Sequence, residues 1–147
     1  MLPWRHILLA IDFGPSSDTA TDAAVELAQK FEAKLTLVHV WGVLPYVYSG
    51  ETFSGADLMT PIQEAAEKAL RDALSSVQKK VPQAEGLLRQ GAPVVELIAQ
   101  INESKADLVI LGTHGRRGLS HFVLGSVAEQ VVQRSPVPVL TLRADSR

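Results

Sequence analysis

Residues 106–115 and the pair at 125–126 decide the fold: Ala-Asp-Leu-Val-Ile-Leu-Gly-Thr-His-Gly, then Gly-Ser ten residues after Gly115. The apolar run Leu108–Leu111 is continuous rather than alternating, which is typical of a parallel strand buried on both faces. The glycines after it form the pattern Gly-x2-Gly-x9-Gly-Ser, which ends where a helix-like stretch begins. This arrangement predicts an anion site, because a helix N-terminus offers free N–H groups and a partial positive charge.

Strands and helices alternate along the rest of the chain. The predicted strands are His6–Ile11, Lys34–Trp41, Glu85–Gln90, Leu108–Leu111 and Val137–Leu142. Four helices are predicted. The first follows Gly14-Pro15, with Ser16 or Ser17 as its cap, and the second runs from a Thr60 cap and Pro61 to about Lys80. The third starts at Gly91-Ala92-Pro93, and the fourth spans Ser126–Arg134. This alternation predicts an α/β fold of the Rossmann-like class, with right-handed crossovers and an open parallel sheet covered by helices.

The composition is that of an ordinary globular protein. The chain has 147 residues, of which 46% are hydrophobic and 20% charged, so we expect one domain spanning residues 1–147. A formal charge of -2 gives no basic stripe, so we expect no nucleic-acid partner. Cysteine is absent, which excludes disulfides and thiolate metal sites. No apolar run reaches the ~20 residues of a membrane span, and residues 1–6 lack a signal-peptide layout, so we expect a cytoplasmic protein.

Polar and backbone groups at the strand ends are candidate ligand contacts, because ligands of open α/β sheets bind at the carboxyl ends of the strands. Asp12 follows the first strand, where its carboxylate suits ribose hydroxyls; the alternative is a cap or turn residue. The backbone of Val40 suits an adenine edge, and the alternative is a core valine. For His39 a packed histidine is favoured over a ligand contact.

The glycine loop carries its own candidates. It lacks the Gly-Lys-Ser/Thr of a P-loop, so no lysine of that kind reaches a phosphate. Arg116, Arg117 and His114 are candidate phosphate partners; the alternatives are solvated charge for the arginines and a backbone contact alone for His114. The histidines show no metal-ligand spacing (His6, His39, His114 and His121), so Mg2+ brought by a nucleotide is favoured over a protein-held ion.

The segment Gly42–Met59 is long for a connection inside a compact domain and carries three aromatic residues. Loops of this kind are usually functional or mobile. The sequence leaves the role of this one open.

With these motifs in place, the chain resembles the universal stress proteins over nearly its whole length. The resemblance rests on the Ala-Ile-Asp12 strand end, Leu-Val-His-Val40, the glycine pattern, and the closing Ser-Pro-Val-Pro-Val-Leu. It implies a five-stranded parallel sheet in the order 3-2-1-4-5 and a place in the ATP-binding subgroup. It further implies a nucleotide site in which the nucleoside lies by Ala10, Ile11 and Asp12, the adenine by Val40, and the phosphates and ribose by Gly112, His114, Gly115, Arg116, Gly125, Ser126 and Val127.

Three functions follow as hypotheses. The leading one is a stress-response regulatory module that binds ATP (or AMP or ADP, with accompanying Mg2+) and signals to an unidentified protein partner. The second is a slow ATPase, although no water-activating acid stands beside the loop and no catalytic residue is assigned. The third is a structural dimer whose loop binds no nucleotide. The resemblance also implies a homodimer through the closing strand Val137–Leu142, whose prolines and apolar residues are typical of a sheet edge that pairs with a partner. The alternative is a monomer in which this strand packs entirely under its own helices.

Overall fold

A computed structural model describes residues 3–42, 57–114 and 124–144. Strands and helices alternate along them, numbered here in chain order. The strands are β1 (His6–Ala10), β2 (Lys34–Trp41), β3 (Glu85–Gln90), β4 (Leu108–Gly112) and β5 (Val139–Leu142). The helices are α1 (Pro15–Phe31), α2 (Met59–Gln78), α3 (Pro93–Ser104) and α4 (Ser126–Arg134).

The five strands form one sheet in the order β3-β2-β1-β4-β5. Every neighbouring pair is parallel, as βαβ connections require. Strand β1 lies at the centre, where Ile7 pairs with Leu35 of β2 and with Leu108 of β4. The predicted fold class and strand order are therefore confirmed.

Each face of the sheet has its own apolar core, because successive side chains of a strand point to opposite faces. Ile7 and Leu9 of β1 pack on the face covered by α1 and α2, together with Ala20, Ala24, Leu35, Leu37, Leu70 and Val77. Leu8 and Ala10 pack on the face covered by α3 and α4, together with Val38, Leu97, Ile101, Val109, Ala128 and Val131. The central strands are buried on both sides, which explains their continuous apolar runs.

The predicted caps of the first two helices are wrong. Gly14 is the N-cap of α1, so Ser16 and Ser17 lie inside its first turn and cap nothing there. Helix α2 begins at Met59, and Thr60 is already helical. The side chain of Asp57 takes the capping part instead, since its Oδ1 accepts the N–H groups of Met59 at 3.0 Å and Thr60 at 3.1 Å.

The last strand is shorter than predicted. It begins at Val139 rather than Val137, because Pro136 and Pro138 flank Val137 and proline has no N–H for the ladder. Pro138 still contributes its carbonyl, which accepts the N–H of Val109 at 3.0 Å. The expected position at a sheet edge is confirmed.

No helix within residues 3–42, 57–114 and 124–144 is long and apolar enough to cross a membrane. Most of the long connection Gly42–Met59 (residues 43–56) lies outside the described residues.

His6, at the amino end of the sheet, is held by both ring nitrogens. Its Nδ1 lies 3.3 Å from the carbonyl of Ser104, and its Nε2 lies 2.8 Å from the hydroxyl of Thr36, which is buried. A carbonyl only accepts, so Nδ1 carries the hydrogen and Nε2 of the neutral ring accepts from Thr36. Protonation of Nε2 would force that buried hydroxyl to turn away.

The pKa of His6 is lowered, first by burial and then by the ammonium of Lys34. The Ser104 carbonyl and the carboxylates of Asp107 and Glu85 act in the opposite direction without cancelling the effect. The unfolded chain therefore takes up a proton at His6 more readily than the folded protein does.

We expect this difference to destabilise the protein below the unfolded histidine pKa of about 6.5. The contribution is fully present above that value and is lost as the pH falls through the lower, folded-state pKa. The unfolding free energy, measured by urea titration between about pH 7.5 and about pH 5.5, should fall less in His6→Asn than in the parent. Equal slopes in the two proteins would show that His6 is not responsible.

Candidate functional site

The strand order predicts a crevice where the chain changes direction across the sheet. From β1 the chain passes to β2 on one side, whereas β4 lies on the other, so the carboxyl ends of β1 and β4 flank the point of reversal. In sheets of this kind the ligand site lies at that point. Asp12 follows β1 there, Gly112 ends β4, and α1 and α4 both begin nearby in sequence.

Asp12 forms the turn that links β1 to α1. Its Oδ1 accepts the N–H of Gly14 at 2.8 Å, and its own N–H is donated to Ser17 Oγ at 3.2 Å. Between them Phe13 has a φ of 67°, in the left-handed region that non-glycine residues seldom adopt. Asp12 is therefore a turn residue, as the alternative from the sequence had it, and the turn fixes the position of its carboxylate. Its contact with a ribose stays a prediction.

The strand residues beside Asp12 divide between the two faces. Ala10 and Val40 both pack on the α3/α4 side. The side chain of Ile11 packs on the α1/α2 side. Its N–H is donated to Val38 at 2.9 Å, and its carbonyl lies 2.8 Å from Nδ1 of His39. Ile11 is therefore engaged mainly within the protein.

His39 is a packed histidine, as favoured from the sequence. It is 8% exposed, bonds to the carbonyl of Ile11, and its ring centroid lies 4.6 Å from that of Phe13. Its packing helps to hold the unusual backbone of Phe13, and with it the turn that carries Asp12.

Gly112 ends β4 directly against the first turn of α1. A Cβ at this position would lie 2.7 Å from the carbonyl carbon of Ser16 and 2.8 Å from its Cβ, closer than real side chains approach. Gly112 has an ordinary negative-φ or extended backbone, since Gly91 is the one described glycine with positive φ. Its need for glycine is therefore close packing of helix on strand rather than an unusual turn.

Gly125, at the start of α4, is a second glycine that packs closely against protein backbone. It is buried, its N–H is donated to the carbonyl of Thr113 at 2.6 Å, and a Cβ would lie 2.7 Å from that same oxygen. Gly125 is also the N-cap of α4, and no side chain within residues 3–42, 57–114 and 124–144 caps this helix end. The positive end of the α4 dipole is thereby set beside the end of β4, with Ser126 exposed and Val127 half-buried in its first turn.

Thr113 and His114 connect these parts. The N–H of Thr113 is donated to the carbonyl of Leu142 in β5 at 2.8 Å, and its hydroxyl lies 2.9 Å from Nδ1 of His114. The hydroxyl of Ser16 donates a hydrogen bond to the backbone carbonyl of His114 at 2.5 Å. The sequence alone assigned no site role to Ser16 or Thr113. The position of Ser16 directly after Gly14-Pro15 indicated only the start of a helix.

Gly115 and Arg116 lie outside the described residues, as does Arg117. Within residues 3–42, 57–114 and 124–144, no three His, Asp or Glu side chains come together as a metal site would require.

A sequence model of the universal stress protein family matches residues 3–143. The chain belongs to the universal stress protein family. Among its relatives, the universal stress protein A homolog 1 of Coxiella burnetii is 36% identical over 145 residues, which covers 95% of this chain and 96% of the relative.

Solved structures of universal stress proteins share the fold. UspA from Lactobacillus plantarum superposes with a TM-score of 0.81 at 23% identity, over 97% of this chain and 100% of that one. A universal stress protein crystallised in complex with cAMP superposes with a TM-score of 0.74 at 25% identity, over 98% of this chain and 100% of that one.

The packing at Gly112 predicts a stability effect that needs no ligand. We expect Gly112→Ala to lower the unfolding free energy by about 1–3 kcal/mol, because the new methyl meets helix backbone that cannot rotate away. Gly86→Ala is the matched control, since a Cβ there meets the movable side chains of Leu70 and Leu74. Thermal denaturation of both variants checks this; equal melting temperatures would contradict the packing role of Gly112.

Proposed function

We propose that this universal stress protein binds ATP in the crevice between the ends of β1 and β4 and acts as a nucleotide-dependent regulatory module. The observation that carries the proposal is the N-terminus of α4, which no side chain of the described residues caps and which the N–H of Gly125 holds 2.6 Å from the Thr113 carbonyl at the end of β4. A helix end without a side-chain cap is a ready site for an anion, because its N–H groups and its dipole both favour negative charge.

In this proposal the two sides of the crevice bind different parts of the nucleotide. Asp12, held by the Gly14 turn, accepts hydrogen bonds from the ribose hydroxyls. Ala10 and Val40, on the α3/α4 face, lie beside the base. The first turn of α4, with Ser126 and Val127, receives the phosphates together with Gly112, His114, Gly115 and Arg116, and Mg2+ arrives with the phosphates rather than on protein ligands.

The related structure with cAMP supports the class of ligand. That protein was crystallised with a molecule made of adenine, ribose and phosphate, and it is 25% identical to this chain over nearly its whole length. ATP, ADP and AMP carry the same three parts. The extended glycine pattern of this chain favours the triphosphate.

We propose a regulatory role rather than rapid ATP hydrolysis. The glycine loop has no P-loop lysine in the sequence, and phosphoryl transfer depends on such charges to stabilise its transition state. Occupancy would instead be read by a protein partner or by a second copy of the chain. Phosphate release at multiple turnover tests this part: a rate near ~1 s⁻¹ would favour an ATPase.

We further propose a homodimer through β5. This strand forms one edge of the sheet, and edges with unpaired backbone groups invite pairing with a second strand. Its side chains Val139, Leu140, Thr141 and Leu142 are all partly exposed. A two-fold axis at this edge would cover them with the same residues of a second copy.

Asp12 supplies the first test of nucleotide binding. We expect Asp12→Ala to weaken ATP and AMP by a similar factor of about ten, since both carry the ribose. Isothermal calorimetry on the two nucleotides measures this. Asp12→Asn keeps an oxygen for the N–H of Gly14 and removes the charge, so it separates ribose binding from the turn.

Asp18→Asn serves as the control, because Asp18 is an exposed carboxylate in the first turn of α1. Its nucleotide affinities should match those of the parent. If Asp12→Ala lost ATP but kept AMP, the contact would be with phosphate or metal rather than ribose. A parent protein that binds no adenine nucleotide would refute the proposed function.

The dimer is tested best at Thr141, because Val139 also packs on the α3/α4 core and its replacement would disturb the subunit itself. We expect the parent to be a dimer by light scattering at micromolar concentration. Thr141→Glu places two like charges near the two-fold axis, so it should give a folded monomer. A monomeric parent, or a dimer that Thr141→Glu leaves intact, would contradict the β5 interface.

A further inference from the structure

Ser16 is a buried polar residue whose hydroxyl contacts one residue of the glycine loop twice. It is 2% exposed, its Oγ donates to the carbonyl of His114 at 2.5 Å, and it accepts the N–H of His114 at 3.3 Å. A serine hydroxyl has one hydrogen to donate and two lone pairs that accept, so it can make both contacts at once. The two residues are 98 positions apart in the chain.

The contact depends on a matched glycine. Ser16 reaches His114 only because Gly112, two residues earlier, has no side chain; a Cβ there would lie 2.7 Å from the carbonyl carbon of Ser16. The first turn of α1 thus packs on the backbone at the end of β4, and the hydroxyl bonds to the next part of the chain. Packing and hydrogen bonding fix the same junction.

The junction joins the two sides of the crevice. On the α1 side, Ser17, the next residue after Ser16, accepts the N–H of Asp12 at 3.2 Å. On the β4 side, His114 follows Thr113, whose carbonyl accepts the N–H of Gly125 at 2.6 Å. The hydroxyl of Ser16 therefore forms a direct side-chain bond between the first turn of α1, next to the Asp12 turn, and the segment that places the α4 N-terminus.

We propose that Ser16 is a positioning residue of the nucleotide site, which holds the start of the glycine loop at a set distance from the Asp12 turn. This role rests on the proposed function, and it concerns ligands that reach both sides of the crevice. A ribose bound at Asp12 needs only one side. A ribose that carries phosphates needs the two sides in register, because the phosphates must meet the α4 N-terminus while the ribose stays at Asp12.

The test compares ATP with adenosine in Ser16→Ala. Isothermal calorimetry measures tight binding and chemical-shift titration measures weak binding, so the two together cover ATP and adenosine. We expect ATP to weaken by at least about tenfold, whereas adenosine changes by less than about threefold. Thr19→Ala is the matched control: its hydroxyl lies in the same region of α1 and, among the described residues, bonds to the carbonyl of Pro15 within its own helix, at 3.5 Å.

A second readout follows the junction directly. In Ser16→Ala the amide of His114 should exchange its hydrogen faster, whereas the amide of Thr113, bonded to Leu142, should keep the parent rate. Should Ser16→Ala fail to fold, Ser16→Cys keeps a side chain of similar shape with a much weaker hydrogen bond, and the same titrations apply.

The possible outcomes distinguish the positioning role of Ser16 from the proposed binding of nucleotide. Unchanged ATP affinity in Ser16→Ala, or equal losses for ATP and adenosine, would overturn the positioning role while nucleotide binding stands. A parent that binds neither ligand would overturn the proposed function and this role together. A selective loss of ATP with faster exchange at His114 supports both.

Discussion

The close approach between the end of β4 and the first turn of α1 is the constraint on which the site depends. At Gly112 the two backbones meet with no room for a Cβ, so helix and strand pack at a fixed separation. Ser16 is buried at this contact, and its hydroxyl bonds to the backbone of His114, as buried polar groups require. The geometry of the crevice therefore follows from packing that exists without any ligand.

From this contact, hydrogen bonds of Thr113 extend to two further elements. Its carbonyl accepts from Gly125 at the start of α4, and its N–H is donated to Leu142 at the end of β5. A shift of Thr113 would therefore affect both the helix end proposed to bind phosphate and the strand proposed to pair with a second copy. If occupancy of the crevice alters assembly, the two backbone bonds of Thr113 offer a physical route between the two.

Much of the fold was predictable because its signals are local. Residues Lys34–Trp41 and Glu85–Gln90 form the expected strands, and Ser126–Arg134 forms the expected helix. The helix caps were not predictable, because a turn at Asp12 and a side-chain cap from Asp57 depend on backbone geometry that no periodicity reveals. The end-of-strand rule brought Asp12 and Gly112 to one crevice, but it contains nothing about Ser16, whose partner lies 98 positions away.

The glycine pattern therefore carries two kinds of information that the sequence alone does not separate. Gly112 and Gly125 each exclude a side chain because protein backbone occupies the space, at Ser16 and at Thr113. Their selection is explained by the folding of the crevice, whether or not a nucleotide enters it. Evidence for the ligand must then come from groups with no such structural need, chiefly the helix end at Ser126, which no side chain in the described part of the chain caps. Asp12 is intermediate, because one of its oxygens already serves the turn and fixes its carboxylate beside the same crevice.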